Sequence, residues 1–160
     1  MKPMPVSPGT VFRDPVHFLA FGFGSGLSPV APGTFGTLAA IPLYWALSGL
    51  TAPIYALVAL AVTVAGVWIC GRSSARLGVH DHPGIVWDEI AGYLITMTLA
   101  PKGWPWMLAG FALFRFFDIL KPQPIRWLDR NLDGGLGIML DDALAGVFAF
   151  AALQLVAGLR

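Results

Sequence analysis

Long apolar runs, separated by short groups of turn-forming residues, dominate the pattern of this chain. No Asp, Glu, Lys or Arg occurs between Pro15 and Gly71. Turn-forming residues around Gly49 to Pro53 divide that span into two apolar limbs, Thr37 to Leu50 and Pro53 to Gly71, which predicts a helical hairpin. The second limb approaches the ~20 residues with which a helix crosses the ~30 Å hydrocarbon core of a bilayer, whereas the first is short for a span.

Three further apolar runs follow. Ile90 to Ala100 and Trp104 to Phe114 lie on either side of Pro101-Lys102-Gly103 and predict a second hairpin, although each reaches spanning length only with its charged end. Ala143 to Leu159 is a final run of 17 residues. We therefore predict an all-α integral membrane helical bundle with about four transmembrane helices in two hairpin-like pairs, plus short interfacial helices and glycine-rich loops.

The composition is that of a membrane protein. Hydrophobic residues make up 56% of the 160 residues and charged residues 12%, whereas soluble domains are roughly 45–50% apolar and about 25% charged. We expect one membrane-embedded domain over residues 1–160, with residues 1–14 extended or disordered and lacking the apolar core of a signal peptide. A soluble all-α bundle with unusually apolar helices is the alternative, because most of the predicted spans are short.

The basic residues are distributed unevenly between the two predicted ends of the bundle. Eight of the ten Lys and Arg residues fall on the side of the N-terminus, the His80 region and the Asp118 to Asp142 region, and only Lys102 and Arg160 fall on the other. By the positive-inside rule this asymmetry predicts a cytoplasmic N-terminus. All nine acids fall on that same side, which predicts one polar site at the cytoplasmic face of a bacterial inner membrane.

Two classes of site are disfavoured by the same composition. A net charge of +1 without a dense basic stretch gives no indication of nucleic-acid binding. Cys70 is the single cysteine, so neither an internal disulfide nor a cysteine metal cluster can form.

The stretch from His80 to Glu89 is the first candidate site, because it holds five ionisable side chains in an otherwise apolar chain. Asp88 and Glu89 begin a predicted helix, where capping alone would explain one of the two carboxylates. Adjacent helical residues point about 100° apart, and Glu89 shares its face with small and polar residues, so we predict Glu89 inward and Asp88 at the edge. The two histidines flank Asp81 without the helical spacing of zinc proteases, which argues against zinc.

A glycine-rich loop from Gly22 to Thr37 is the second candidate. Its glycines allow backbone amides to approach a ligand, and its hydroxyls precede a helix, which suits an anionic group. The loop lacks the Gly-Lys-Ser/Thr of a phosphate-binding loop and the βαβ context of a dinucleotide fingerprint, and a tight turn or helix cap explains it equally well. The candidate anion-binding residues in this loop are Ser25, Gly33, Thr34 and Thr37.

A third segment places charges at the end of a predicted helix. Arg115 and Asp118 are three residues apart on one helix face and are expected to pair. Lys121 and Arg126 follow where prolines end the helix. These cations either bind lipid phosphate or only reflect the positive-inside bias.

The fourth segment, from Asp133 to Asp142, is a glycine turn that ends in two carboxylates at a helix start. Asp142 shares a face with small residues on which another helix can pack, so we predict that Asp142 points inward. The acids then gather at the ends of three helices on one face, where they would repel one another without a cation. Oxygen ligands and neighbouring Lys and Arg residues predict Mg²⁺ together with a phosphate-bearing substrate.

These four segments, in this order, resemble the bacterial phosphatidylglycerophosphatase A family. The matching motifs are the Gly22 to Thr37 loop with its Pro-Gly-Thr, His-Asp-His…Ile-Val-Trp-Asp-Glu at 80–89, Phe-Arg-Phe-Phe-Asp…Lys-Pro-Gln-Pro-Ile-Arg at 114–126, and Gly-Ile-Met-Leu-Asp-Asp at 137–142. The resemblance covers about Pro15 to Gly158. It implies a membrane-embedded, Mg²⁺-dependent phosphatase that acts on a membrane phospholipid and converts phosphatidylglycerophosphate to phosphatidylglycerol and phosphate.

From this resemblance we hypothesise roles for the charged and polar residues. The catalytic candidates are Asp81, His82, Asp88, Glu89, Asp118 and Asp142; the metal-ligand candidates are Asp88, Glu89, Asp141 and Asp142; and the substrate-binding candidates are Ser25, Gly33, Thr34, Thr37, His80, Arg115, Lys121 and Arg126. Two nucleophiles fit these residue types. We favour a water activated at the metal site and deprotonated by His82 or Asp81 over Asp118 as a covalent nucleophile.

Two other functions compete with this hypothesis. A small transporter or channel subunit would use the acids to relay ions or protons, and acids in the middle of the helices would favour it. Here the charges lie at the ends of the apolar runs. A phosphoalcohol transferase is disfavoured, because its aspartates at four-residue spacing are absent.

Overall fold

The computed structural model describes residues 6–158, and all regular secondary structure in this range is helical. A short 3-10 segment spans Gly22–Leu27. The α-helices are α1 Pro8–Arg13, α2 Pro15–Ala20, α3 Pro32–Leu47, α4 Ala52–Leu77, α5 Trp87–Thr96, α6 Trp104–Leu120, α7 Ile125–Asn131 and α8 Gly134–Gly158. The predicted all-α class is confirmed.

The short helix α5 lies at the centre of the bundle and contacts α3, α4, α6 and α8. Glycines allow the closest approach: an added Cβ at Gly92 would lie 2.8 Å from the Asp142 carbonyl oxygen, and one at Gly146 would lie 2.5 Å from the Gly92 carbonyl oxygen. Backbones in such close contact are typical of helices that pack within membranes. Helix α5 is therefore a buried central element that holds α8 directly against the candidate site.

Among the described residues, two helices are long and apolar enough to cross a membrane: α4, with 26 residues, and α8, with 25. The prediction of about four spanning helices is therefore wrong in number. At 1.5 Å per residue, the 16 residues of α3 and the 17 of α6 reach about 25 Å, and the 10 of α5 about 15 Å, all short of ~30 Å of hydrocarbon.

The outer surface of α4 distinguishes a membrane protein from a soluble bundle. Only 28% of its most apolar window is buried, and large apolar side chains such as Leu57, Val64 and Trp68 are exposed. A soluble protein rarely exposes so continuous an apolar surface. This surface indicates a membrane protein.

The helices of the first predicted hairpin meet only near their connection. The rings of Tyr44 in α3 and Tyr55 in α4 have centroids 6.0 Å apart, and both helices pack on α5 instead of along each other. The Tyr55 hydroxyl donates to the Leu94 carbonyl oxygen at 2.7 Å, which joins α4 to α5. The first pair is thus opened by the insertion of α5.

The N-terminal residues are helical where the structure describes them. Ser7 caps α1 by accepting from the Thr10 amide, so the prediction that residues 1–14 are extended or disordered is wrong over 8–13. Residues 1–5 lie outside the described range. Helix α2 docks on α4 through a buried contact of 2.8 Å between His17 Nδ1 and Ser73 Oγ. The ion pair of Asp14 with Arg76 adds a second contact between this region and α4.

Because successive helices alternate in direction, the helix ends that carry the charged residues meet at one end of the bundle. The starts of α3, α5 and α8 meet the end of α6 and the loop after α4 around one cavity. A second cavity, at the opposite end of the bundle, includes Lys102 and the turns after α3 and α5. The sequence predicts Lys102 on the side away from the acids, and in the fold Lys102 lies at the opposite end of the bundle from the acid-lined cavity.

Candidate active site

A cavity of about 290 Å³, called the acidic cavity below, lies where these helix ends meet. Its charged and ionisable lining residues come from four helices and two connecting segments. They are His80, Asp81, Asp88, Glu89, Arg115, Asp118, Lys121, Asp129, Asp141 and Asp142. The structure therefore gathers residues that lie up to 62 positions apart in the chain, between His80 and Asp142, around one space.

Three carboxylates form the centre of this cavity. Asp88 and Glu89 project from the first turn of α5 and Asp142 from α8, and one oxygen from each lies within 4.8 Å of the others. Asp88 and Asp142 are buried and Glu89 is partly exposed. We call these three residues the acid cluster.

The acid cluster is poorly satisfied by protein groups. Asp88 Oδ1 and Glu89 Oε2 are buried and have no hydrogen-bond partner. Burial raises the pKa of the Glu89 carboxyl to about 7. Burial, together with the negative charge of Glu89, also raises the pKa of Asp88. Buried acids with unpaired oxygens take up either protons or a cation, and three oxygen donors at this spacing fit a hard divalent cation.

The predicted order of depth within the pair is wrong. Asp88 is buried, whereas Glu89, which we expected to be the deeper residue, is partly exposed. The longer Glu89 side chain extends towards the first turn of α3 and lies 3.9 Å from Arg115 Nη1. The face that Glu89 shares with Gly92 and Thr96 is close-packed, as predicted. Side-chain length and the position of α3, however, decide which of the two carboxylates is covered.

Asp141 belongs to a different set of contacts from Asp142. Lys121 Nζ donates to Asp141 Oδ2 at 2.7 Å and to Asp129 Oδ1 at 2.5 Å. Burial lowers the pKa of the Lys121 amine, but hydrogen bonds to the two carboxylates outweigh burial and raise its pKa. Asp141 Oδ1 is buried without a partner, so this cavity-lining residue also keeps one unsatisfied oxygen.

Asp129 is a site residue that the sequence reading missed. It lies on α7, lines the acidic cavity and pairs with Lys121. Its sequence context carries no motif of spaced carboxylates. The available signal was scarcity, since the chain has only nine acids and most of them gather here.

Arg115 supplies a positive charge inside the bundle, next to the acid cluster. Its side chain is only 16% exposed, and Nη1 donates to Asp118 Oδ2, which confirms the predicted pair at i, i+3. Its Nε is buried without a hydrogen-bond partner. Asp118 lines the acidic cavity together with Asp142. Arg115 therefore presents an unused donor beside the acid cluster, as an anion-binding group would.

The two histidines of the His80 to Glu89 stretch are separated by the fold. His80 lines the acidic cavity, and its Nε2 accepts from the Gly134 amide at 3.2 Å and lies 2.9 Å from Asp133 Oδ1. His82 is buried in a neighbouring cavity of about 360 Å³, where Nδ1 accepts from the Gly84 amide at 3.0 Å. Asp81, between them, is exposed and lines the acidic cavity.

Of the residues predicted in the glycine-rich loop, Gly33 alone lines the acidic cavity. Ser25 Oγ donates to the Gly22 carbonyl oxygen at 2.8 Å and Thr37 Oγ1 to that of Gly33 at 2.9 Å, so these hydroxyls stabilise the turn and the start of α3. Thr34 is partly exposed and does not line the cavity. The turn-and-cap explanation therefore holds for the hydroxyls.

Arg126 also lies outside the acidic cavity. It is exposed on α7 and donates to the Leu120 carbonyl oxygen at 3.2 Å. Its predicted role in substrate binding has no counterpart in the geometry, and its contact stabilises the connection between α6 and α7.

Comparison with known proteins identifies the family. Residues 18–157 match the sequence profile described as Phosphatidylglycerophosphatase A. The chain belongs to the phosphatidylglycerophosphatase A family. This confirms the resemblance noted in the sequence and the assignment of the chain to an enzyme class, the phosphoric monoester hydrolases.

Individual relatives span most of the chain. A protein of Escherichia coli named "Phosphatidylglycerophosphatase A" is 49% identical over 89% of this chain and 84% of its own length. One of Haemophilus influenzae with the same name is 49% identical over 85% of each chain. One of Bacteroides thetaiotaomicron, named "Putative phosphatidylinositol-3-phosphatase", is 44% identical over 81% of this chain and 85% of its own. No solved structure matches.

Proposed function

We propose that this protein removes the terminal phosphate of phosphatidylglycerophosphate and releases phosphatidylglycerol and phosphate, with Mg²⁺ as cofactor. One observation carries the proposal: the acid cluster, with its unpaired carboxylate oxygens, and Arg115, with its unpaired Nε, line one cavity at one end of an apolar bundle, where Arg115 Nη1 lies 3.9 Å from Glu89 Oε1. Such a pairing of cation-binding and anion-binding groups suits a phosphomonoester. Family membership supplies the lipid substrate.

The metal part of the proposal assigns Mg²⁺ to Asp88, Glu89 and Asp142. Their donor atoms are all oxygens, two of which are buried and unpaired, and this is the donor type that Mg²⁺ prefers. When bound, Mg²⁺ would neutralise charge on the phosphate and lower the pKa of a water molecule. Asp141 lines the same cavity, and its unpaired Oδ1 is a further candidate donor.

The phosphate part of the proposal assigns Arg115 and Lys121 to the non-bridging oxygens. Asp118 holds the Arg115 guanidinium through Nη1, which leaves Nε to donate to the substrate. Lys121 is charged and held by two carboxylates, and exchange of the more exposed Asp129 for a phosphate oxygen leaves its contact with Asp141 intact. Because they are already held in place, these two cations stabilise the negative charge that develops on the phosphate in the transition state better than water would.

The hydrolytic step then needs a nucleophile and a proton acceptor. We favour water over Asp118, because Asp118 is already engaged by Arg115. The water oxygen attacks phosphorus as the bond from phosphorus to the glycerol oxygen breaks. The proton of the water passes to the exposed Asp81 carboxylate on the cavity wall and then to the leaving glycerol oxygen, so that the products are phosphatidylglycerol and phosphate. His82 faces a different cavity, so Asp81 is the better candidate for the base.

The proposed orientation places the acidic cavity at the cytoplasmic face of the inner membrane. Eight of the ten basic residues are assigned to that side, in agreement with the positive-inside rule. The transporter alternative would need ionisable residues along the spanning helices. In α4 the charged residues are Arg72 and Arg76 near its end, and in α8 they are Asp141 and Asp142 near its start.

Phosphate release by the purified protein tests the proposal. We expect release from phosphatidylglycerophosphate with Mg²⁺, loss of release with a chelator, and slower release from phosphatidylinositol 3-phosphate and phosphatidic acid. Asp142→Asn serves as the inactive control. Release from phosphatidylglycerophosphate that persists in Asp142→Asn, or that ignores Mg²⁺, would contradict the proposed site.

A further inference from the structure

Ile119 lies both in the wall of the acidic cavity and on the outer surface of the bundle. Its residue surface is 69% exposed, and it stands beside Arg115 and Asp118 among the lining residues. A large apolar side chain in such a position is unusual at the mouth of a charged cavity, where polar residues would be expected to face water. The mouth therefore has one apolar side.

This apolar side continues along α6. Leu108, Ala112, Arg115 and Ile119 recur at intervals of four, three and four residues, so they share one helix face. Of these four, Arg115 is covered and the other three are exposed. An added Cβ at Gly33 would lie 3.1 Å from Arg115 Nη1, so the first turn of α3 covers this face at the arginine. We call Leu108, Ala112 and Ile119 the α6 strip.

Another apolar groove exists, but it does not reach the acids. It has a volume of about 520 Å³ and lies between α4 and α8, with Leu60, Thr63, Ala143 and Val147 among its lining residues. It shares no lining residue with the acidic cavity. Its residues on α8 face away from Asp142, since Ala143 and Val147 point about 100–140° from it. The phosphate-binding residues of the acidic cavity therefore adjoin the α6 face and not this groove.

We propose that the lipid substrate enters the acidic cavity from the bilayer across Ile119, and that an acyl chain lies along the α6 strip while its phosphomonoester is bound inside. This inference rests on the proposed function and adds the route and the contact residues of the lipid chain. The occupant is an acyl chain because the strip is continuous with the wall that holds Arg115, so a ligand on the strip carries its anionic end into the cavity. Burial of chain methylenes against the strip stabilises the bound lipid.

A chain-length comparison tests the inference. Ile119→Ser is compared with Leu57→Ser, a matched control that is 66% exposed on α4 and lines none of the acidic cavity. Substrates are dioleoyl phosphatidylglycerophosphate in mixed micelles and its dihexanoyl analogue as a monomer. We expect Ile119→Ser to raise KM for the dioleoyl lipid about tenfold at unchanged kcat, because a polar residue replaces the apolar contact. KM for the short-chain analogue should stay within about twofold, and Leu57→Ser should change neither. Equal effects on both substrates, or no effect on either, would overturn the inference.

Photolabelling separates this inference from the proposed function. A phosphatidylglycerophosphate with a diazirine on its acyl chain is bound to the wild type without Mg²⁺, irradiated, and mapped by mass spectrometry. Labels on the α6 strip support the inference even if the protein releases no phosphate, an outcome that would sink the proposed function alone. Labels confined to the α4–α8 groove would overturn the inference. Crosslinking that shows the α6 strip in contact with a second copy of the chain would overturn it as well.

Discussion

Lys121 Nζ donates a hydrogen bond to Asp141 Oδ2 at 2.7 Å, whereas Asp142, the next residue, contributes to the acid cluster with Asp88 and Glu89. Two adjacent carboxylates at the start of one helix thus have different partners. Adjacent residues on a helix point about 100° apart, which places one towards the lysine and the other towards α5. Substitution of Asp141 and substitution of Asp142 should therefore affect the activity in different ways.

We expect Asp142→Asn to lower kcat/KM by at least about 100-fold and to abolish Mg²⁺-dependent thermal stabilisation, because it removes one of the three clustered oxygens. Asp141→Asn should instead raise KM about tenfold, since Lys121 loses one of its two charge-assisted hydrogen bonds, and should keep the Mg²⁺ effect on stability. The measurements are steady-state kinetics and melting temperature against Mg²⁺ concentration. Identical loss of the Mg²⁺ effect in both variants would show that both aspartates hold the metal.

The raised pKa of Glu89 predicts that the folding stability of the metal-free protein depends on pH. Its pKa is raised to about 7 from an ordinary value of 4.5, so the folded state holds a proton that the unfolded state releases between these values. The folding stability contributed by this proton is complete below about pH 4.5 and is lost as the pH rises to 7. With a chelator present, Glu89→Gln should therefore stabilise the protein at pH 8 by roughly 1–3 kcal/mol relative to wild type, and much less at pH 5.

The same substitution should abolish activity, since Glu89 belongs to the acid cluster. Added Mg²⁺ should stabilise the wild type at pH 8 and leave Glu89→Gln nearly unchanged. Thermal melts at the two pH values, with chelator or Mg²⁺, make the comparison. A metal-free Glu89→Gln protein that is less stable than wild type at pH 8 would mean that the carboxylate is held by protein contacts and needs no cation.

The charged residues of the site were predictable from the sequence because they are scarce. In a chain with 12% charged residues, each ionisable group at a helix end stands out, and Asp88, Glu89, Arg115 and Asp142 were found in this way. Asp129 was missed, because an isolated acid between two arginines resembles a solvated helix face. The separation of His82 from the cavity also escaped prediction, since it depends on how one loop turns after α4.

The number of spanning helices was less predictable, for a physical reason. Hydropathy reports how apolar a segment is, but not whether lipid or protein surrounds it. Helix α5 is apolar because four other helices cover it, and at 10 residues it is too short to span. The packing of α5 against both α3 and α4, the two limbs of the first predicted hairpin, was not predictable for the same reason.

The positions of Asp81 and His82 predict opposite results for two neighbouring substitutions. Asp81→Asn should lower kcat/KM by about 100-fold, because its carboxylate accepts the proton from water in the proposed reaction. His82→Gln should change kcat/KM by less than about fivefold per folded molecule, because His82 lines the neighbouring cavity. Circular dichroism of both variants controls for folding. A larger loss of kcat/KM in His82→Gln than in Asp81→Asn would reverse the assignment.

Gly33 is the glycine of the acidic cavity whose replacement bears most directly on Glu89 and Arg115. An added Cβ there would overlap Glu89 Oε1 and lie 3.1 Å from Arg115 Nη1, so alanine must displace the two side chains that this turn of α3 holds together. We expect Gly33→Ala to lower kcat/KM by at least about tenfold, since displacement of about 1 Å at a catalytic group costs that much or more. Gly49→Ala is the matched control, because its Cβ would meet no atom within 4 Å. Both variants are compared by kinetics and by melting temperature with Mg²⁺. If Gly33→Ala keeps full activity, the contact between α3 and the acid cluster adjusts without loss, and the close approach at Gly33 does not position Glu89 or Arg115 for the reaction.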